Sequence, residues 1–407
     1  MSVMDSSRFP TFCCDRSDYQ QLIEEQCRTL ELPEPNSAAV DVSFALAQKV
    51  SELINLKQKI PFSDFMQQAL YAPGLGYYSA GSYKLGAQGD FVTAPELSPL
   101  FGKTLAQSIM QAFEHTQPVI LELGAGSGRL MCDLLRQLEV EERVPETYYI
   151  LEVSAELRQR QQQLLKAELP HLVTKVVWLD KLPQSFKGVI IGNEVIDAIP
   201  FELLMKTEHG LAQGFVKYNE RGFSLEFHVT DYSRGWQKRN FNSYSMWPEG
   251  YLVETSELRN DWMRTLMESL EQGCVILLDY GYEQEELYSP YRPQGTLQCY
   301  YRQRKHSTPL ALLGLQDITC SVNFTQLAET AQQQGSDILG FTSQALFLTL
   351  SGIEQFVAQA QDSDTIAGLS VAQQLQTLLM PAEMGQTIKV LGLSKNFSGT
   401  LSGFKSL

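Results

Sequence analysis

Val119 to Leu135 reads VILELGAGSGRLMCDLL, and the fold turns on how this run is parsed. Val119, Ile120 and Leu121 lead into Glu122-Leu123 as a short apolar strand. Glycines follow at alternate positions, Gly124, Gly126 and Gly128. Leu130, Met131, Leu134, Leu135 and Leu138 then recur at helical spacing. The order is strand, glycine turn, helix. A helix that starts after such a turn offers free backbone N–H groups, and the missing side chains let a ligand approach the backbone.

Outward from this run, strand and helix patterns keep alternating. Tyr148–Val153, Val173–Trp178, Val189–Ile191 and Cys274–Leu278 read as further strands. Ser154 caps a helix carrying Leu157, Leu164 and Leu165, and a longer helix is expected around Asp261–Leu270. Alternation of this kind predicts an α/β fold, a mostly parallel sheet covered on both faces. Ala345–Leu350 and Thr387–Leu393 are expected to be the last two strands. Residues 1 to 35 read as a weakly structured leader, stopped by Leu32-Pro33-Glu34-Pro35. Asn36 then caps a helix running to about Leu56, and Ser63 opens a shorter one. Phe215 to Val229 alternates about Asn219-Glu220-Arg221-Gly222, which predicts a hairpin.

The glycine spacing narrows the ligand. A dinucleotide turn usually reads G-x-G-x-x-G, and a nicotinamide dehydrogenase would carry it. Here the spacing is G-x-G-x-G, Arg129 follows, and Glu122 precedes. That form suits S-adenosylmethionine, which has no pyrophosphate and needs a turn wrapped round its amino-acid part. The expected contacts there are Glu122, Gly124, Ala125, Gly126 and Gly128. Ribose hydroxyls want a carboxylate at the end of the second strand, and Glu152 stands there with Val153 beside it. Asp180, after VVWL, is placed to accept from the adenine amino group. Gly89 to Glu96 (GDFVTAPE) is too rich in special residues for a passive linker, and Asp90 and Thr93 are its candidate cofactor contacts. Read blandly, the glycine turn is only a tight turn and Gly89–Glu96 only a capped one.

Open parallel sheets bind ligands beyond the carboxyl ends of their strands. The fourth strand ends in Asn193-Glu194-Val195-Ile196-Asp197, so Asn193, Glu194 and Asp197 are the candidate catalytic residues, with Asn193 also near the cofactor. Glu194 and Asp197 share a face if a helical turn begins there. A carboxylate pair can clamp a guanidinium and leave one nitrogen free to attack. The alternative for Glu194 is an ordinary acid at a helix N-terminus. Tyr300 to His306 (YYRQRKH) is a basic, aromatic run in an acidic chain; contact with an acidic ligand or substrate region is one reading, and a solvated face explains it better.

The formal charge of −15 disfavours a general nucleic-acid binder; it is compatible with a cationic protein partner, but an acidic surface is first of all an ordinary solubility device. Seven scattered cysteines with no CxxC pair argue against a disulfide scaffold and a zinc site; no metal is expected. MSVMDSSRFPTFCC lacks an apolar export core and basic amphipathic character, and no apolar run approaches the ~20 residues of a membrane span. A cytoplasmic chain without membrane contacts is therefore expected.

PFSDFMQQALYAPGLGYY, GDFVTAPELSPLFG, LELGAGSGRL, LEVS, GNEVIDAIPFE, LLDYGY, GTLQCYYRQRKH, QDITCSVNF and LMPAEMGQTIKVL occur in this order from about Ile60 to Lys395. Together they resemble the MidA family of class I methyltransferases. The resemblance implies a Rossmann-like, seven-stranded sheet with an antiparallel last strand. It implies S-adenosyl-L-methionine at Gly124, Gly126, Glu152 and Asp180, and a protein substrate methylated on arginine. The family's mitochondrial members are arginine methyltransferases needed for assembly of respiratory complex I. Gln303, Lys305 and Asn323 depart from its pattern, which leaves those positions without an assigned role. The expected organisation is a leader and helical segment at 1–85, a methyltransferase core at 86–282 and 339–407 with a hairpin insertion at about 206–253, and a substrate-side insertion at 283–338. The rival reading is a non-catalytic assembly protein that keeps the cofactor site as a structural element. A homodimer stays open.

Overall fold

The computed structural model describes residues 15–79, 93–219, 222–240, 244–361, 365–380 and 383–404. The chain divides into two compact units. One comprises residues 92–197, 260–283 and 322–407; the other comprises 1–91, 198–259 and 284–321.

The first unit is built on a sheet whose main path has seven strands: β1 Val119–Leu123, β2 Thr147–Leu151, β3 Val176–Leu179, β4 Phe186–Asn193, β5 Leu270–Tyr282, β6 Asp337–Ser343 and β7 Ile388–Lys395. Their spatial order is β3-β2-β1-β4-β5-β7-β6. β1 pairs parallel with β2 and β4, β2 with β3, and β4 with β5. β7 runs antiparallel to both β5 and β6. The expected α/β sheet with an antiparallel last strand is thus present. β1 is buried along its whole length, as a strand covered on both faces must be. Leu105 and Ile109 of α1 (Pro99–Phe113) and Leu134, Leu135 and Leu138 of α2 (Arg129–Val140) join Ile120, Ile150, Val189 and Ile276 in one core. α3, Ala155–Glu168, follows β2 and is capped by the Ser154 side chain.

One strand of the expected last pair is elsewhere. Ala345–Leu350 lies in a helix, Gln344–Leu350, whose N-terminus is capped by Ser343 accepting from the Leu346 amide at 3.3 Å. The strand is the preceding DILGFTS, Asp337–Ser343. A half-exposed edge strand carries little hydrophobic alternation, whereas the short apolar run after it mimics a buried strand.

The other unit holds an antiparallel sheet in which Glu202–Thr207 lies between Gly210–Asn219 and Leu252–Thr255, with Ile60–Pro61 and Gly222–His228 also pairing to Gly210–Asn219. Tyr218 pairs with Phe223 and Asn219 with Gly222, the register of the expected hairpin. Three short strands, Gln298–Tyr301, Arg304–His306 and Asp317–Thr319, form a second sheet here. The basic run caps its hairpin: residues 302 to 305 are exposed.

Two expectations about this unit change. Within the supposed leader, Arg16–Thr29 is a helix capped by Asp15 and burying Tyr19, Leu22, Ile23 and Cys27. The Tyr19 hydroxyl and the Ser43 hydroxyl are 2.7 Å apart, tying this helix to Ser37–Lys57. Its apolar stripe is diluted by the polar residues of RSDYQQLIEEQCRT, and tertiary packing supplies what the pattern lacks. The segments expected as separate insertions belong together with the N-terminal helices, except that Phe324–Gln333 falls in the other unit. Bonds over long sequence separations hold them: Ser43 donates to the Leu313 carbonyl at 2.6 Å, and the Leu312 amide to Gln26 at 3.0 Å.

Candidate active site

The site lies in the unit built on β1 to β7, along one edge of the sheet. Leu123 ending β1 is in register with Leu151 ending β2 and with Gly192 of β4; Leu151 is in register with Leu179 ending β3, and Asn193 with Leu278 of β5. The loops after these strands therefore emerge in one row. β1 and β4 are neighbours at the point where strand order reverses, the place where open α/β sheets leave a crevice.

The glycine turn occupies the centre of that row. Gly124, at φ +61°, is a position where a Cβ would stand 2.8 Å from Val195 Cγ1. Backbone angle and space both demand glycine there. The Gly124 amide donates to the Leu151 carbonyl at 2.9 Å, and the Gly128 amide to the Ala125 carbonyl at 2.8 Å. The Ser127 hydroxyl donates to Glu96. Thr93 precedes the short helix Ala94–Leu97, so the end of the GDFVTAPE stretch stands against the turn. Asp90 lies outside the described residues.

Glu152 is buried at the end of β2, and burial raises its carboxyl above the ordinary range. The Ser154 amide donates to one of its oxygens at 2.9 Å, and the Gln161 side chain to the other at 3.1 Å. Val153 beside it is 80% exposed, an apolar surface open to a flat ring. Asp180 is exposed after β3 and pairs with Arg158 at 2.9 Å. Glu122 sits within β1, where it accepts from the Tyr148 hydroxyl at 2.8 Å. Burial first, and then the nearby Glu152 charge, pushes its carboxyl up to about 8, with the Tyr148 bond opposing the rise.

The turn after β4 differs from expectation. No helix begins at Glu194. The residue adopts φ +53°, the left-handed region, and its amide donates to the Leu278 carbonyl at 2.8 Å. A helix N-terminal acid is thereby ruled out, as is the helical face proposed for Glu194 and Asp197. Asn193 donates to the Glu194 carboxylate at 3.2 Å, while its own Oδ1 is buried with no hydrogen-bond partner. Asp197 is buried. Asp279, fully buried at the end of β5, accepts from the Ile196 amide at 2.7 Å, the Asp197 amide at 3.3 Å and the Tyr280 amide at 2.8 Å. Sequence reasoning passed over Asp279 and Gln161. The only signal for Asp279 was its place in LLDYGY at a strand end; Gln161, inside a polar helix, gave none.

The strand-end row fits an adenosine-bearing methyl donor: a side-chain-free turn, a fixed buried carboxylate and an unpaired acceptor stand together. Residues 102–342, more than half of the chain, match the family model described as S-adenosyl-L-methionine-dependent methyltransferase. A protein of Burkholderia thailandensis, crystallised bound to S-adenosyl-homocysteine, is similar with a TM-score of 0.88 and 39% identity, covering 91% of this chain and 97% of that one. Among curated proteins, the mitochondrial protein arginine methyltransferase NDUFAF7 homolog of Drosophila melanogaster is 27% identical, over 91% of this chain and 89% of its own. The human NDUFAF7 is 26% identical, over 86% and 87%. These relatives carry mitochondrial names, which overturns the cytoplasmic placement read from the sequence. That placement rested on the character of residues 1–14, which lie outside the described residues, and on the lack of a long apolar run. Among the described residues no helix is long and apolar enough to cross a membrane.

Proposed function

This chain belongs to the S-adenosyl-L-methionine-dependent methyltransferases, and on that premise we propose that it methylates a protein side chain, the guanidinium of arginine. The carrying observation is the Asn193–Asp197 turn. It places two carboxylate residues and an unpaired buried amide oxygen at the end of β4, beside the glycine turn of β1.

When bound, S-adenosyl-L-methionine supplies an electrophilic methyl group on a sulfonium. Gly124, Ala125, Gly126 and Gly128 would hold its amino-acid part, Glu152 its ribose hydroxyls, and Val153 and Asp180 its adenine, with Glu122 and Thr93 nearby. A guanidinium keeps its proton to a pKa above ~12 and delocalises its lone pairs. Glu194 and Asp197 accept hydrogen bonds from its outer nitrogens and hold the positive charge there, leaving the remaining nitrogen more nucleophilic. Asn193 Oδ1, otherwise unpaired, accepts one further N–H and fixes the approach. In-line displacement depends mainly on such positioning. The names of the curated relatives support arginine as the acceptor, and the net charge of −15 suits a cationic substrate segment.

The test is incubation with tritiated methyl donor and lysate, followed by mass spectrometry of the labelled band. Label on arginine is expected, and Glu194→Gln should lower incorporation at least ~100-fold while donor binding persists. Donor binding with no labelled protein would instead favour a non-catalytic binding role.

A further inference from the structure

We propose that Gln161 is the positioning residue of the cofactor site, locking the glycine turn to the ribose carboxylate. The inference rests on the assignment of Gly124–Gly128 and Glu152 to the methyl donor.

Gln161 lies on α3 and is 0% exposed, an uncommon place for a primary amide. Its Nε2 donates to the Gly126 carbonyl at 2.9 Å and to the Glu152 carboxylate at 3.1 Å. Its Oε1 accepts from the Trp178 indole of β3 at 2.9 Å. One side chain thus joins the loops after β1 and β2 to the third strand. The contact extends to carbon: a Cβ at Gly128 would stand 3.2 Å from Gln161 Cγ, so the turn backbone rests on its stem.

The chemistry explains the arrangement. A vicinal diol needs two acceptor oxygens at fixed spacing. With the Ser154 amide on one Glu152 oxygen and Gln161 on the other, the carboxylate plane cannot rotate, and each oxygen keeps a lone pair for a hydroxyl. The two donors of a single NH₂ also fix the distance between that plane and the Gly126 carbonyl. Only a neutral side chain with two donors does this. A carboxylate at 161 would face Glu152 and a carbonyl oxygen.

Full-length protein is titrated with S-adenosyl-homocysteine by calorimetry, with melting curves in parallel. Gln161→Met keeps the length and removes all three bonds, and its affinity should fall about thirty-fold. Gln161→Glu is the sharper probe. The charged groups around the position are Glu152 from the end of β2, Arg158 on α3 and, through Glu152, Glu122 in β1. Two facing carboxylates at 152 and 161 repel once both are ionised, so as pH rises this variant should lose about tenfold more affinity than wild type. A glutamine that merely fills the core would shift melting without adding that pH profile. Wild-type binding together with variants within threefold of it at every pH overturns the proposal. No wild-type binding overturns the cofactor assignment instead. Should both variants fail to fold, the side-chain amide resonance of Gln161 in the wild-type protein, assigned from its backbone, must shift on titration; a stationary resonance overturns the proposal.

Discussion

Two loops stand side by side at the end of the sheet and are specified in opposite ways. The turn after β1 takes left-handed backbone at Gly124, Gly126 and Gly128, where it costs little. The turn after β4 takes it at Glu194, a residue that resists it, and is held by Asp279 from the adjacent strand β5. The first loop carries its shape in its own residues. The second borrows its shape from a strand some eighty residues later in the chain, and the positioning role proposed for this turn accounts for its left-handed residue.

The largest expected effect breaks the borrowed loop. Asp279→Ala leaves the Ile196, Asp197 and Tyr280 amides without their acceptor. Each lost hydrogen bond costs ~1 kcal/mol, so the three together should lower methyl incorporation about 100-fold. Binding of S-adenosyl-homocysteine, assigned by the proposed reading to the other loop, should fall far less, by no more than about tenfold through the Val195–Gly124 contact. Equal losses of both would show that the two loops are one device.

Gly124→Ala attacks the self-specified loop. The added Cβ meets Val195 Cγ1 and a φ of +61°. Strain of about 1–2 kcal/mol predicts a five- to thirty-fold loss of S-adenosyl-homocysteine affinity by calorimetry. Full affinity in this variant would mean that the turn has room the structure does not show.

The same contrast explains what was legible beforehand. Glycine spacing, the acid ending β2 and the alternation of strands are local signals, so β1, its turn and Glu152 could be placed from the residues alone. Asp279, Gln161 and the helix Arg16–Thr29 act through partners distant in sequence, and no local pattern encodes them. Ala345–Leu350 misled because a short apolar run has no period to distinguish strand from helix; the Ser343 cap decided it. Glu122 was read as a ligand contact from its position; its bond to Tyr148, which lies on the neighbouring strand, is a partner that no local pattern encodes.

Glu122 also makes the β1 side pH-sensitive. Its folded carboxyl is raised to about 8 from an ordinary 4.5, chiefly by burial. The native state then holds a proton that the unfolded chain releases, so Glu122's contribution to stability is full below about pH 4.5 and is lost as pH climbs to about 8. Glu122→Gln keeps an acceptor for the Tyr148 hydroxyl and removes the titration. It should melt higher than wild type by about 4 °C near pH 8, and the difference should vanish near pH 4. A constant difference across the range would show that Glu122 does not titrate there.

The smallest effect is the reciprocal of the glycine swap. Glu194→Gly relieves the left-handed conformation at φ +53° while adding backbone freedom to the unfolded chain. The two contributions nearly offset, and a net gain of roughly 0.5 kcal/mol by urea unfolding is expected. Methyl incorporation should be lost in the same variant, because the carboxylate leaves with the strain. A gain in stability paired with a loss of transfer would set this turn apart from the β1 turn, where Gly124→Ala loses stability and binding together. Should Glu194→Gly instead destabilise by more than about 1 kcal/mol, the carboxylate supports the fold rather than straining it. The two loops would then differ only in which residue supplies the turn.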